Sequence, residues 1–353
     1  MKKVFLFLAA VMMSASTMFA QGTILAVLRH GDQLSTFYGV DALKSAMNAA
    51  DHGDVITLSS GTFEGADITK AVTIRGAGFE TDTIAKTNPT ILVNSFNINV
   101  PDTISQRLMV EGIYSNYTIS VYNTLNNASF QKCRFYSFGT RTSNSSSTNG
   151  KMKNVTFMHC KFVDVFYEEN SLNSVLFVNC FVTSPYTNSD SSNTFEFNNC
   201  IVRWITNIYG SDYGTYTPNY TNRSVFKNCI LIYRNSTALL LTNYVYNCLA
   251  IIGSNDFLSR HVGRAGESFT TATDYAGVFK SYKGTYNDAM SFELTDEAKT
   301  KYVGVDGTEL GIYGGSLPFS SKVLSPQITK CDVAQKTTAD GKLSVDIEVK
   351  GVE

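Results

Sequence analysis

Six segments of the chain align on a cysteine: FQKCRF (130–135), FMHCKF (157–162), FVNCFV (177–182), FNNCIV (197–202), FKNCIL (226–231) and VYNCLA (245–250). The cysteines are 27, 20, 20, 29 and 19 residues apart. Self-similarity at such a period marks a solenoid, in which each repeat covers the hydrophobic face of the next. Cys and the apolar residue two positions later share one strand face, because side chains alternate along a strand. The Phe three residues before Cys has the wrong parity for that face. Five outward phenylalanines and a valine in register would invite aggregation. A one-residue bend between Phe and Cys resets the parity and turns both inward. Asn is the non-glycine residue that best tolerates the left-handed backbone of such a bend, and Asn179, Asn199, Asn228 and Asn247 sit there. His159 holds the same position in its repeat.

A second Asn column lies seven residues before Cys, at Asn126, Asn173, Asn193 and Asn222. Stacked amides can hydrogen-bond up and down a parallel ladder, which satisfies turn polar groups inside a coil. Strand, bend, strand and turn every ~20 residues, with no helical period between, predict an all-β fold. The expected form is a single-stranded right-handed parallel β-helix. An antiparallel sandwich also has recurrent strands, but it does not need one motif at one spacing.

The flanks extend this reading. Residues 40–52 place Ala42, Leu43, Ala46, Met47 and Ala50 on one helical face, a candidate N-terminal capping helix. Short β runs punctuated by glycine follow over 54–78, and DGTELGIYGG (306–315) is a Gly-rich stretch after the last repeat. Two alternating runs around Asp340-Gly341 predict a short C-terminal β-hairpin tail. The first twenty residues carry Lys2 and Lys3, an apolar run from Val4 to Met13, and small residues before Ala20. That order is a secretory signal peptide, and the run is too short for a membrane anchor. The expected organisation is a signal peptide over 1–20, a capped β-helix over 21–318 and a β tail over 319–353. Export to the periplasm, the cell surface or the medium of a bacterium follows from the leader.

The helix followed by GDVITLSSGTFEG and ITKAVTIRGAG resembles the opening coils of the pectin-lyase-like β-helix superfamily. The repeated FxNCxF and the closing DGTELGIYGG are similar to later coils of its secreted bacterial members. The resemblance covers about residues 38–316 and implies the fold. It implies carbohydrate as the partner class, although the superfamily spans lyases, hydrolases, esterases, epimerases, tailspikes and adhesins. The NTD, DD, GHG and RIK motifs of polygalacturonases are absent, as are the WiDH and RxPxxR patterns of pectate lyases. No catalytic residue is carried over.

Composition narrows the function further. Of 353 residues, 43% are hydrophobic and 17% charged, with 29 Lys+Arg against 30 Asp+Glu. A chain without basic excess does not bind nucleic acid by bulk phosphate neutralisation. Asn takes the place of charge: there are 28, and 24 of them lie between Asn94 and Asn247. Few carboxylates argue against a conventional glycosidase, which needs a matched acidic pair.

The candidate carbohydrate-binding residues are aromatic or guanidinium side chains on the late coils. Counting four from Cys places Trp204 and Tyr233 in one column, flanked by Arg203 and Arg234, with Asp164 and Ser184 in that column on earlier coils. The long interval before Cys229 inserts YGSDYGTYTPNY, which brings Tyr209, Tyr213, Tyr216 and Tyr220, the first three of them candidate sugar contacts. Aromatic faces with polar handles suit sugar rings, and Arg suits carboxylates. Interior packing is the competing reading of that column. Asp164, Glu168 and Glu169 form the acid-richest patch of the repeat region, a solvated turn or a Ca2+ site. His261, with Arg260, Arg264 and Glu267, is a polar loop or the proton-abstracting group of a lyase. No metal site or resident cofactor is expected, and stacked cysteines predict a buried thiol column rather than disulfides. The expected function is an exported, monomeric polysaccharide binder that uses one lateral face. A divergent lyase or hydrolase acting on a uronic-acid-containing glycan is the alternative, and a structural or adhesin-like surface protein is the second.

Overall fold

The computed structural model describes residues 24–83, 87–101, 103–140, 150–168, 175–187, 195–203, 224–232, 244–251, 269–272, 274–287, 290–323, 327–333, 340–342 and 345–350. The chain is all-β and built on two long stacks of parallel strands. Sheet A runs from Leu25–His30 and Val55–Leu58 through Thr73–Arg75, Met109–Glu111, Ser129–Gln131, Val155–Met158, Val175–Val178, Phe195–Asn198 and Val225–Lys227 to Tyr244–Tyr246. Sheet B runs from Gly61–Glu64 through Thr90–Val93, Ile113–Val121, Arg134–Thr140, Lys161–Glu168, Phe181–Thr183, Ile201–Arg203 and Ile230–Ile232 to Cys248–Ile251 and Phe269–Ala272. At the start of sheet A, Leu25–His30 pairs antiparallel with both Gln33–Tyr38 and Val55–Leu58. Helix α1 (Ala42–Ala49) buries Ala42, Leu43, Ala46 and Met47 in the main core. Gln327–Val333 and Val345–Lys350 form a separate antiparallel pair. No helix among the described residues is long and apolar enough to cross a membrane.

The step from sheet A to sheet B is one residue with positive φ on every coil of the repeat: Lys132 (49°), His159 (53°), Asn179 (48°), Asn199 (50°), Asn228 (53°) and Asn247 (49°). Gly112 (69°) continues the column one coil earlier. Each bend also joins the ladder, as Asn179 N–H donates to Asn198 O at 3.0 Å and Asn199 N–H to Lys227 O at 2.9 Å. The parity reset works as the sequence requires. Phe130, Phe157, Phe177, Phe197 and Phe226 are buried before the bend, and Cys133, Cys160, Cys180, Cys200, Cys229 and Cys248 are buried after it. The rings stack in register, with Phe177–Phe197 centroids at 4.7 Å and Phe197–Phe226 at 4.8 Å, tilted by only 9° and 3°. Burying each ring contributes about 1.5–3 kcal/mol, and stacking adds about 0.5–1.5 kcal/mol per pair.

Two expectations change in detail. The left-handed residues before the next sheet A strand are Asn127 (53°) and Asn154 (52°), six residues before Cys rather than seven. Asn126 is the last residue of a short strand, and its N–H donates to Ser105 Oγ at 2.7 Å. Asn173, Asn193 and Asn222 lie outside the described residues. The amides of the main bend column do not all bond to one another. Asn247 Nδ2 does donate to Asn228 Oδ1 at 3.1 Å, but Asn179 Nδ2 donates to Ile312 O and Gly314 O, both at 2.8 Å.

Those two carbonyls belong to a strap, residues 303–323, that runs back along the bend column. Asn247 Nδ2 donates to Val303 O at 2.9 Å, and Gly311 N–H donates to Asn228 O at 3.0 Å. His159 Nε2 meets Leu317 O at 3.0 Å, and Lys132 Nζ donates to Lys322 O. The Gly-rich stretch permits this approach: Gly315 has φ 79°, and a Cβ there would stand 1.9 Å from Asn199 Nδ2. The strap continues to Val323, which is buried. Before the strap, Val278, Phe279, Tyr282, Phe292 and Leu294 pack on the outer face of sheet B with Phe181, Ile201, Ile230 and Leu249. This second core is absent from the sequence expectations.

The thiol column is buried and unpaired by disulfides. Each Cys N–H from Cys160 to Cys229 donates to the Sγ of the next coil at 3.3–3.4 Å. Burial pushes the Cys160, Cys200 and Cys248 thiols well above their ordinary pKa. Alkylation of the native protein should leave these six cysteines unmodified, whereas alkylation in denaturant without reductant should label all six. Peptide mass mapping reads the difference.

Asn179→Ala should lower stability by about 2–4 kcal/mol, because Ala is strained at positive φ and two buried strap carbonyls lose their donor. Asn179→Gly should recover the backbone part only, as measured by urea unfolding of both variants.

His159 supplies a pH dependence. Burial lowers its pKa most, and Lys132 adds to this, while the Leu317 carbonyl, Cys180 and the Ser320 backbone oppose it. The folded pKa lies below the 6.5 of an ordinary histidine, so the unfolded chain binds the proton first. Stability from this group is therefore lost as pH falls below about 6.5 toward the folded pKa, and the loss levels off below that. His30, raised by its hydrogen bond to Asp54, acts in the opposite sense. His159→Asn should flatten the wild-type decline in urea midpoint below about pH 6.5.

Candidate functional site

The outer face of sheet B carries a row of exposed side chains at a shared irregularity. The register of Arg134–Thr140 shifts between Phe135 and Ser137 against both neighbouring strands. On one side Ser115 and Thr118 face Phe135 and Ser137, and on the other Phe162 and Val165 do. Tyr136 is therefore opposed by two residues on each neighbour, the geometry of a bulge, which re-aims side chains. Tyr117 and Tyr136 are each 42% exposed there. Asp164 is exposed on the following coil and accepts a hydrogen bond from Ser137 Oγ at 3.3 Å. Ser184 (φ 44°) occupies the corresponding position one coil later.

A second outward column lies beside the bulge. Tyr114 and Arg134 are paired in register, and the guanidinium sits 4.4 Å from the Tyr114 ring centroid. Such a cation–π contact ties the two side chains to each other. Lys161 follows in the same column, but it is buried, ion-paired with Glu80 and flanked by the Phe79 and Phe319 rings at 5.4 Å each. Lys161 thus ends the open part of the face. Beyond it the column turns apolar and lies beneath the segment 275–319.

Arg203 is on the covered side. It is 4% exposed, and its Nε donates to Tyr282 Oη at 3.0 Å, which in turn donates to Gly284 O at 3.0 Å. Its role in this structure is to satisfy a buried phenol, and the physical reason is the second core above it. Trp204, Tyr209, Tyr213, Tyr216, Tyr233 and Arg234 lie outside the described residues, as do His261 and its neighbours. Of the acidic patch, only the Asp164 side chain is described. Among the described residues no group of three His, Cys, Asp or Glu side chains is placed to hold a metal ion.

The residues that sequence reasoning missed are Tyr114, Tyr117, Arg134 and Tyr136. Tyr136 is three residues from its Cys rather than four, and only the bulge brings it into the row of Asp164. Tyr117 sits in a coil without the cysteine motif. Chemically, the row and the column beside it offer three phenol rings, one carboxylate and one guanidinium on parallel strands spaced about 4.8 Å apart. No protein-family model matches the chain, and no curated protein or solved structure matches it either.

Proposed function

We propose that this chain is an exported polysaccharide-binding protein that engages its ligand along the open part of sheet B. In this reading it is a right-handed β-helix of the pectin-lyase-like kind, with α1 and the first strands closing its N-terminal end. The observation that carries the proposal is the row Tyr117, Tyr136 and Asp164 on consecutive coils, beside the Tyr114–Arg134 pair. Consecutive coils repeat their side chains at a fixed step, so a polymer lying along the axis can meet one ring after another. Phenol rings present an apolar face to the C–H side of a sugar and a hydroxyl to its rim. Trp204 and Tyr233, four residues after their cysteines, remain part of this reading on the spacing of the sequence alone.

Simultaneous Tyr117→Ala and Tyr136→Ala should weaken binding of the best ligand on a glycan array by about tenfold or more, given roughly 0.5–1.5 kcal/mol per ring contact. Both side chains are surface-exposed, so the melting temperature should hold within a few degrees. Unchanged affinity would remove the face. Release of products with unsaturated or reducing ends from the bound polymer would replace the binding-only reading with the lyase or hydrolase alternative.

A further inference from the structure

A second concavity lies away from the aromatic row, between sheet A and the start of the strap. The strap begins with a tight turn in which Val303 bridges Glu309 and Gly304 N–H donates to Thr308 O at 2.6 Å. Beneath it opens a groove of about 420 Å³ lined by Asn198, Asn199, Lys227, Asn228, Tyr246 and Val305. Its floor is ordered by the solenoid. Asn198, Lys227 and Tyr246 are exact register partners on three successive strands of sheet A. Their backbones therefore span about 10 Å, a length that suits a disaccharide. Asn199 and Asn228 belong to the bend column, so left-handed backbone fixes the second wall. Asn228 Oδ1 is engaged by Asn247 Nδ2 and by Val305 N–H, which ties the strap turn to that wall.

The charge of the groove decides what it can hold. Lys227 Nζ is paired with Glu196 Oε1 at 3.0 Å, and the same oxygen accepts from Asn198 Nδ2 at 3.2 Å. Cation and anion cancel, and the other lining groups are amides, a phenol and a valine. Asp306, next to Val305 in the turn, carries a carboxylate that accepts from Thr308 N–H at 3.1 Å and Thr308 Oγ1 at 2.8 Å. A uronate carboxylate entering here would have to share Lys227 with Glu196. A hydroxyl would not, because it can donate to a carboxylate and accept from an ammonium at once. Asn198 Oδ1 is buried and has no donor among the described residues. A ligand hydroxyl that donates its proton to this oxygen would relieve that cost. Tyr246 offers the apolar face on which the C–H side of a ring can lie.

We propose that this groove is a binding site for a neutral oligosaccharide, gripped by Asn198, Glu196 and Lys227 and stacked on Tyr246. The site is separate from the sheet B row and stands or falls independently of it. The test is isothermal calorimetry on the full chain with neutral gluco-, manno- and galacto-hexaoses, with hexagalacturonate, and with a mixed peptide pool, each at low and high salt. A double Tyr117→Ala, Tyr136→Ala background removes the other face. At least one neutral hexaose should bind saturably in that background, with affinity changed less than about twofold by salt, because no net charge is neutralised. Asn198→Ala and Tyr246→Ala should each weaken it about tenfold. Tyr246→Phe, which keeps the ring, should retain most of the affinity and guards against misfolding as the cause. The proposal is overturned if no neutral hexaose binds, if hexagalacturonate binds more tightly with a steep salt dependence, if only peptides bind, or if both alanine variants keep wild-type affinity.

Discussion

A single left-handed residue per coil governs this molecule. With straight strands, Phe and Cys of each repeat would point to opposite faces, and half of the apolar side chains would meet water. The bend at Asn179, Asn199, Asn228 and their equivalents turns both sets inward. Two features follow from it. The Phe rings stack face to face because every coil makes the same turn at the same place. The side chains of the bend residues, no longer needed inside, project outward where the strap can lie on them. Asn suits both demands, since it tolerates positive φ and its amide can donate to a passing carbonyl.

Much of this is legible from the repeat alone, because parity and left-handed preference are local properties. The bend column, the buried thiols and the inward Phe stack can all be read from FxNCxF. What cannot be read locally is what covers the outside. The residue after Cys changes from Arg134 and Lys161 to Phe181, Ile201, Ile230 and Leu249, and that switch marks where the segment 275–319 packs. It is visible in the sequence, but inward residues surround it and hide its orientation until the bend is placed. The same cover explains why Arg203, read as a surface guanidinium, lies against Tyr282. On the Cys133 coil the left-handed turn falls on Asn127 and not on its neighbour Asn126, because the two are adjacent and composition does not say which takes that turn.

The candidate face was legible only in part. Spacing from Cys finds Asp164 and Ser184, yet Tyr136 enters the row through a bulge, and bulges leave no fixed count in a sequence. Tyr117 belongs to a coil whose bend residue is Gly112 and whose cysteine is missing, so no motif points to it. Burial then divides sheet B into an open part, with Tyr114, Tyr117, Arg134 and Tyr136, and a closed part beneath the second core. Lys161, held by Glu80 and two aromatic rings, stands at the border.

The strap has a consequence for how the chain folds. Stacked coils alone behave as a one-dimensional array in which each unit feels only its neighbours, so their ends can fray independently. Here Asn247 is joined to Val303, 56 residues away, while Lys132 is joined to Lys322, 190 residues away. The strap touches the last coil first and the earlier coils at steadily growing separations, like a zip drawn back along the stack. Loop-closure entropy therefore favours docking from the C-terminal coils backward, after the stack has formed. Once seated, the strap ties the fraying of the Asn247 coil to that of the Lys132 coil, so that this part of the array melts together.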